Sequence, residues 1–222
     1  HAMLFFLTAF VVFASAYAYV GWRLAMGGSP LTRGAIWALL VLHFVATFVG
    51  FSLVRQVGPT DVTRPLFWFV FGGMGVFSFL FSGLLFAELG WVSIRLFDGW
   101  TGSTSVDENR RKFLLGSVRW AVLAAAGVGT IFGVRAARRS PDVKEVDVPI
   151  EGLPDDLVGY RIAQISDLHV GPTIGADFAQ TVVDTVNALQ PDMVALTGDL
   201  VDGSVEHLST GIAPLGSLEA KD

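Results

Sequence analysis

RIAQISDLHVG (Arg161–Gly171) and PDMVALTGDLVDG (Pro191–Gly203) decide how this chain is read. Each begins as a short apolar run and ends on side chains with ligating atoms. Ile162 to Ile165 leads to Asp167 and His169, and Met193 to Leu196 leads to Gly198 and Asp199. Between them, Ala176 to Leu189 has helical apolar spacing, so the unit reads strand, helix, strand. Strands joined by such a connection run parallel and deliver their C-termini to one edge, where open α/β sheets bind ligands. Two carboxylates and an imidazole at one edge suggest a metal site. Side chains two apart in extended backbone share a face, which would put Asp167 and His169 together. Turn closure by Asp and a surface His are the ordinary alternatives for each residue alone.

The rest of the chain is unlike this stretch. The 222 residues have a mean hydropathy of +0.58, with 18 Phe and 6 Trp, too apolar for an ordinary soluble domain. Charge is divided: residues 1–140 hold 12 Lys/Arg against 5 Asp/Glu, a net of +7, and residues 141–222 hold 3 against 15, a net of −12. Two different environments are implied. The absence of cysteine excludes disulfides and thiolate metal sites.

Residues 1–134 read as a membrane domain of about four helices, at 3–24, 34–54, 66–87 and 113–134. Each run is long enough to cross about 30 Å of hydrocarbon, and only Arg23 and Arg119 interrupt them. An α-helical membrane bundle followed by an incomplete α/β domain is the expected fold class. Residues 135–142 form a basic linker, RAARRSP within it, suited to anionic head groups. The α/β part occupies 143–222. VKEVDVPI (Val143–Ile150) alternates as a half-buried strand does, and Ser204 to Leu218 reads as helical up to Pro214.

His43, inside the second run, is a functional candidate by position. With no second titratable residue in the first two spans to partner it, a neutral histidine hydrogen-bonded within the bundle is expected. Glu88 reads as an interfacial residue. Neither shows a partner, which weakens a transporter or channel reading. Ala121, Ala125, Gly129 and Gly133 form a small-residue stripe on the fourth span, suited to packing in the bundle or to a homo-oligomer; packing is the favoured reading.

Charge leaves the orientation open. Arg23, Arg33, Arg95, Arg110, Arg111 and Lys112 fall on one side, and Arg55, Arg64, Arg135, Arg138 and Arg139 on the other. NRRKFLLGSVRWAVLAAAGVG (Asn109–Gly129) resembles a twin-arginine export signal, placed internally, with Leu115 where a lysine is common. That resemblance, like the alternative reading of an ordinary cytoplasmic anchor of basic residues, puts Arg110 and Arg111 in the cytoplasm and the acidic C-terminal part outside it.

SDLHVG followed by PDMVALTGDLVDG resembles the first two sequence blocks of the calcineurin-like metallophosphoesterases, in particular the bacterial membrane-anchored or exported members. The resemblance covers about residues 143–222. It implies that Asp167 and His169 bind one metal ion and that Asp199 bridges it to a second, while Asp202 supports the loop without coordinating. Two divalent ions of Mn, Fe, Zn or Co suit the mixed Asp/His ligation. They would activate water for in-line attack on phosphorus, hydrolysing a phosphomonoester or phosphodiester. The family's later blocks, which carry the second metal's Asn and His ligands, have no counterpart up to Asp222. His207, the only later histidine, reads as a surface residue. The expectation is therefore a truncated chain, inactive or metal-poor alone, that holds the first half of the site. The implied localisation is the bacterial inner membrane, multi-pass, with the catalytic domain on the extracytoplasmic side. The expected partners are the lipid bilayer and a phosphorylated small molecule or lipid-linked phosphate, with no nucleic acid. The non-enzymatic alternative is a membrane protein with a degenerate phosphoesterase-like domain used for interaction or sensing.

Overall fold

A computed structural model describes residues 2–101 and 108–221. The chain divides into two compact units, residues 1–50 with 69–134, and residues 51–68 with 135–222.

The first unit is helical. α1 (Ala2–Ala25), α2 (Pro30–Gln56) as far as residue 50, α4 (Gly73–Thr101) and α5 (Glu108–Ala137) as far as residue 134 supply it, whereas α3 (Arg64–Phe67) falls in the second unit. A π-helical turn at Trp68–Gly72 joins α3 to α4. Four stretches are long and apolar enough to cross a membrane: Met3–Ala25, Pro30–Gln56, Arg64–Phe97 and Gly116–Ala137. The second and third extend beyond the apolar runs read from sequence at both ends, where the helix continues into flanking polar residues, the first is longer by Ala25, and the fourth lies three residues further along the chain. Large apolar side chains such as Phe5, Leu39, Phe86 and Phe132 are exposed along them, as helices facing lipid require. Tyr17, Val20, Leu40, Leu80, Leu84 and Ala126 form the buried core of this unit.

His43 is buried and has two hydrogen-bond partners. The Tyr17 hydroxyl lies 2.7 Å from Nδ1, and Nε2 lies 3.1 Å from the Val70 carbonyl oxygen. A neutral imidazole satisfies both if Tyr17 donates to Nδ1 and Nε2–H donates to Val70. Tyr17 is thus the titratable partner that the sequence reading of the first two spans overlooked. Val70 sits in the π-helical turn, where the ordinary helical ladder is interrupted and a carbonyl can accept from elsewhere. Gly73 leaves room for the ring: a Cβ there would overlap His43 Nε2.

Two further expectations are corrected. Glu88 has a partner, the Arg23 guanidinium of α1, whose side chain is only 12% exposed. Pairing offsets the cost of holding either charge away from water. The small-residue stripe does not face the bundle as a whole: Ala121, Ala125 and Gly133 are exposed. Gly129 alone of the four packs closely, with Phe79 carbons 3.1 Å from where its Cβ would be. Val122 and buried Ala126, one position further along the chain and so on a different face of the helix, make the core contact.

In the second unit, β1 (Ile162–Ile165) and β2 (Met193–Leu196) pair in parallel, Ile162 opposite Met193 and Ile165 opposite Leu196. α6 (Ala176–Ala188) connects them and packs on one face through Ala179, Val182 and Val186 against Ile165, Leu168 and Val170. Ala163 and Val194 complete that side, while Ile162, Met193 and Leu196 are exposed. α7 (Val205–Ile212) and a 3₁₀ turn at Ala213–Ser217 follow. Pro214 sits in the first turn of that 3₁₀ segment, where its missing N–H costs nothing.

Val143–Ile150 is not a strand. The segment has no regular structure, and Val143, Val146, Val148 and Ile150 are 49–70% exposed. Among the described residues no edge takes its backbone hydrogen bonds and nothing covers its apolar positions. Alternation alone does not stabilise a strand.

Candidate metal centre

Beyond the last paired residues of β1 and β2 the two chains remain joined. Thr197 N donates to Ile165 O at 3.0 Å, Asp167 N to Gly198 O at 3.2 Å, His169 N to Asp199 O at 3.0 Å, and Val170 N to Leu200 O at 3.0 Å. Asp202 N closes the series by donating to Val170 O at 2.9 Å, and Val170 bridges Val201 in parallel. Leu168 and Val170 are buried in the core, so Asp167 and His169 between and beside them are held outward. This fixes Asp167, His169 and Asp199 at one sheet edge.

The backbone that presents them is not extended. Asp167, His169 and Asp199 have φ of 57°, 48° and 47°. Left-handed backbone costs on the order of 1–2 kcal/mol for an L residue, least for residue types such as Asp and His. The sharing of one edge was expected from extended geometry; it is reached instead through alternating left-handed residues. Strain of this kind gathers where side-chain direction matters more than backbone comfort.

The outcome is a compact donor set. Asp167, His169 and Asp199 each offer a ligand atom, all lying within 4.8 Å of one another and all exposed. His169 is oriented by a fourth residue: its Nδ1 lies 2.8 Å from Asp202 Oδ1. Donation of Nδ1–H to this carboxylate leaves the Nε2 lone pair free, and Nε2 lies 3.9 Å from Asp167 Oδ1. Two carboxylates and an imidazole whose tautomer is set by a carboxylate fit a divalent cation. The hydrogen bond and charge of Asp202 raise the His169 pKa above its usual value. Partial desolvation opposes this, and the Asp199 and Asp167 carboxylates add to it. Ser166 donates its hydroxyl to Asp167 Oδ2 and steadies that carboxylate.

Asp202 therefore supports His169 itself, a narrower task than steadying the loop. The signal for it is the three-residue step from Asp199, which skips the inward Leu200 and Val201. His207 takes no part. It is half-buried, not a surface residue, and its Cβ and carbonyl lie against Gly58. The side chains of Arg110, Arg111 and Leu115, on which the export-signal resemblance rests, lie outside the described residues, as does 102–107 of the connector before them.

With this geometry in hand, comparison with known proteins is direct. The model of the calcineurin-like phosphoesterase family matches residues 160–220, which contain all four of these side chains. Residues 160–220 are thus similar to the calcineurin-like phosphoesterase family. A Danio rerio "transmembrane protein with metallophosphoesterase domain" is 32% identical over 195 residues, 87% of this chain and 43% of that protein. An alignment of that length takes in much of the apolar part as well as the phosphoesterase segment. A Bos taurus protein with the same description is 37% identical over 92 residues, 41% of this chain and 21% of that protein. The "uncharacterized metallophosphoesterase YkuE" of Bacillus subtilis is 27% identical over 116 residues, 50% of this chain and 41% of that protein. The chain thus spans less than half the length of these relatives, which come from animals as well as bacteria. No solved structure matches it. It is a membrane protein by its four apolar helices and its transmembrane relatives, with a segment at residues 160–220 that matches the calcineurin-like phosphoesterase family.

Proposed function

We propose that this chain is part of a membrane-anchored, metal-dependent phosphoesterase that hydrolyses phosphomonoester or phosphodiester bonds through a two-metal site. The observation that carries this reading is the convergence of Asp167, His169 and Asp199 within 4.8 Å on hydrogen-bonded loops. Asp167 and His169 would hold one cation, His169 through Nε2. Asp199, with two carboxylate oxygens on the second loop, would be shared with another. Asp202 keeps the His169 tautomer and ring direction. The chemistry such cations supply is polarisation of phosphoryl oxygen and activation of water. Mn, Fe, Zn and Co all suit the donor set. The acidity of the C-terminal part does not oppose a phosphate substrate, because bound cations set the local field.

The membrane helices favour a substrate that also resides at the bilayer, a lipid-linked phosphate. The proposed location is the bacterial inner membrane with the phosphoesterase segment extracytoplasmic, an orientation motivated by Arg110 and Arg111. A reporter fused after Ser140 is expected to be active only outside the cytoplasm; cytoplasmic activity would overturn the orientation.

Activity is tested on the protein that contains this chain, using p-nitrophenyl phosphate and its bis-ester with Mn2+. Asp199→Asn is expected to lower turnover by roughly 100-fold or more, since charge stabilisation by a metal is worth several kcal/mol. Near-normal turnover in that variant would sink the bridging role.

A further inference from the structure

The unit formed by residues 51–68 and 135–222 contains a cavity of about 210 Å³ that does not include Asp167, His169 or Asp199. Arg64, Trp68 and Arg138 line one part of it, and the turn from Gly171 through Thr173 to the start of α6 lines another. At roughly 30 Å³ per water, the space takes a phosphate group together with a small alcohol substituent.

Arg64 opens the apolar stretch Arg64–Phe97, and Arg138 directly follows Gly116–Ala137. Four successive crossings bring the start of the third and the end of the fourth to the same membrane face. Both guanidinium groups therefore belong to the level of the head groups, where Trp side chains such as Trp68 also concentrate. Arg138 stacks over the Trp68 ring at 5.5 Å, an arrangement that fixes the plane of the guanidinium while leaving its N–H donors free. Among the described residues neither Arg64 nor Arg138 has an ion-pair partner. Asp177 is the one carboxylate lining the cavity, so the two arginines leave it cationic. Arg55, Arg135 and Arg139 add to the positive field of the same membrane face. Gly175, the N-cap of α6, has no side chain to cap the first turn, and the backbone there adds to the field.

We propose that this cavity binds a phosphate group at the membrane surface, that of an anionic phospholipid head group. Planar guanidinium groups recognise phosphate through paired N–H donors, which a single solvated Lys would not do. The consequence concerns the neighbouring site: the loop that carries His169 continues through Val170 and Gly171 into the cavity wall. An occupied cavity would hold that loop against the membrane surface. The inference rests on the apolar helices lying in a bilayer, not on metal binding or hydrolysis.

The chain is purified in micelles containing phosphatidylglycerol or zwitterionic phosphatidylcholine, and retained lipid is counted by native mass spectrometry. The natural chain is expected to retain phosphatidylglycerol preferentially. The pair R64Q/R138Q should lose at least ten-fold of that preference. T173E, which places a carboxylate in the cavity without touching either arginine, should lose it too. D199N should leave it unchanged, which separates this site from the metal centre. In a second arm, binding of radiolabelled inorganic phosphate by the natural chain but not by either cavity variant, without phosphatidylglycerol preference, would support the phosphate site with a free anion as its source. Equal lipid retention in all chains, with phosphate binding absent or equal, would overturn the proposal.

Discussion

His169 Nδ1 and Asp202 Oδ1 are 2.8 Å apart, although 33 positions separate the two residues in sequence. One follows β1 and the other follows β2, and the backbone bonds between the two loops bring them to the same place. The pair gives the imidazole a defined tautomer before any cation arrives. A ligand held in this way retains less rotational freedom to lose on binding.

Asp202→Asn tests that role. The amide can still contact Nδ1 but no longer supplies charge, so Mn2+ affinity should fall about 10- to 100-fold, the usual cost of losing such a supporting partner. Calorimetric titration measures it. Thermal unfolding should change little, because the Asp202 side chain is 55% exposed. An unchanged affinity would leave Asp202 as a turn residue only.

The pKa of His169 gives a pH prediction with a definite sign. Asp202 raises it, and a protonated imidazole cannot ligate. As pH falls, cation affinity should therefore begin to drop at a higher pH than an ordinary histidine would cause. Asp202→Asn should move that onset to lower pH, even as it weakens binding overall. Titrations of Mn2+ affinity between about pH 5 and 8, the range in which histidine switches, distinguish the two.

The strand pair and its helix were legible from sequence because the cues are local. Apolar runs of strand length flank an amphipathic stretch, and Ala176–Ala188 follows it as α6. The residues at the edge were legible because ligating types follow both runs. Their left-handed backbone was not, since the sign of φ at Asp167 or Asp199 depends on the partner loop's hydrogen bonds. Val143–Ile150 misled for a related reason: its alternation is real, but strand formation needs a neighbour. His43 was legible as hydrogen-bonded within the bundle, but not its partner Tyr17, because a phenol in an apolar run reads as packing.

Tyr17→Phe removes one of the two hydrogen bonds at buried His43. Leaving Nδ1 unsatisfied should destabilise the bundle by about 1–3 kcal/mol, measured by thermal unfolding in detergent. Gly73→Ala places a methyl where the His43 ring lies and should destabilise it as well. A Tyr17→Phe chain as stable as the natural one would mean that the imidazole finds another donor.

Asp192 ties the start of β1 to the C-terminal segment, accepting from Arg161 N at 2.7 Å and from Lys221 Nζ at 2.6 Å. The Lys221 hydrogen bond first, and the Arg161 backbone bond second, hold its carboxyl below the usual carboxylate range. A depressed folded-state pKa stabilises above the unfolded value and loses that contribution as pH falls through the folded one. Asp192→Asn should therefore lower stability at neutral pH and flatten the acid limb of a stability profile below about pH 4. Parallel acid limbs in the two chains would contradict this.

The most direct test of the metal centre is Mn2+ titration of the purified protein that contains this chain, followed by electron paramagnetic resonance, with Asp199→Asn and Asp167→Asn alongside. Saturable binding is expected in the natural chain, with signal changes from imidazole nitrogen coordination, and a loss of at least ten-fold in affinity in each variant. Binding of equal strength in all three chains, or no nitrogen coordination, would contradict it.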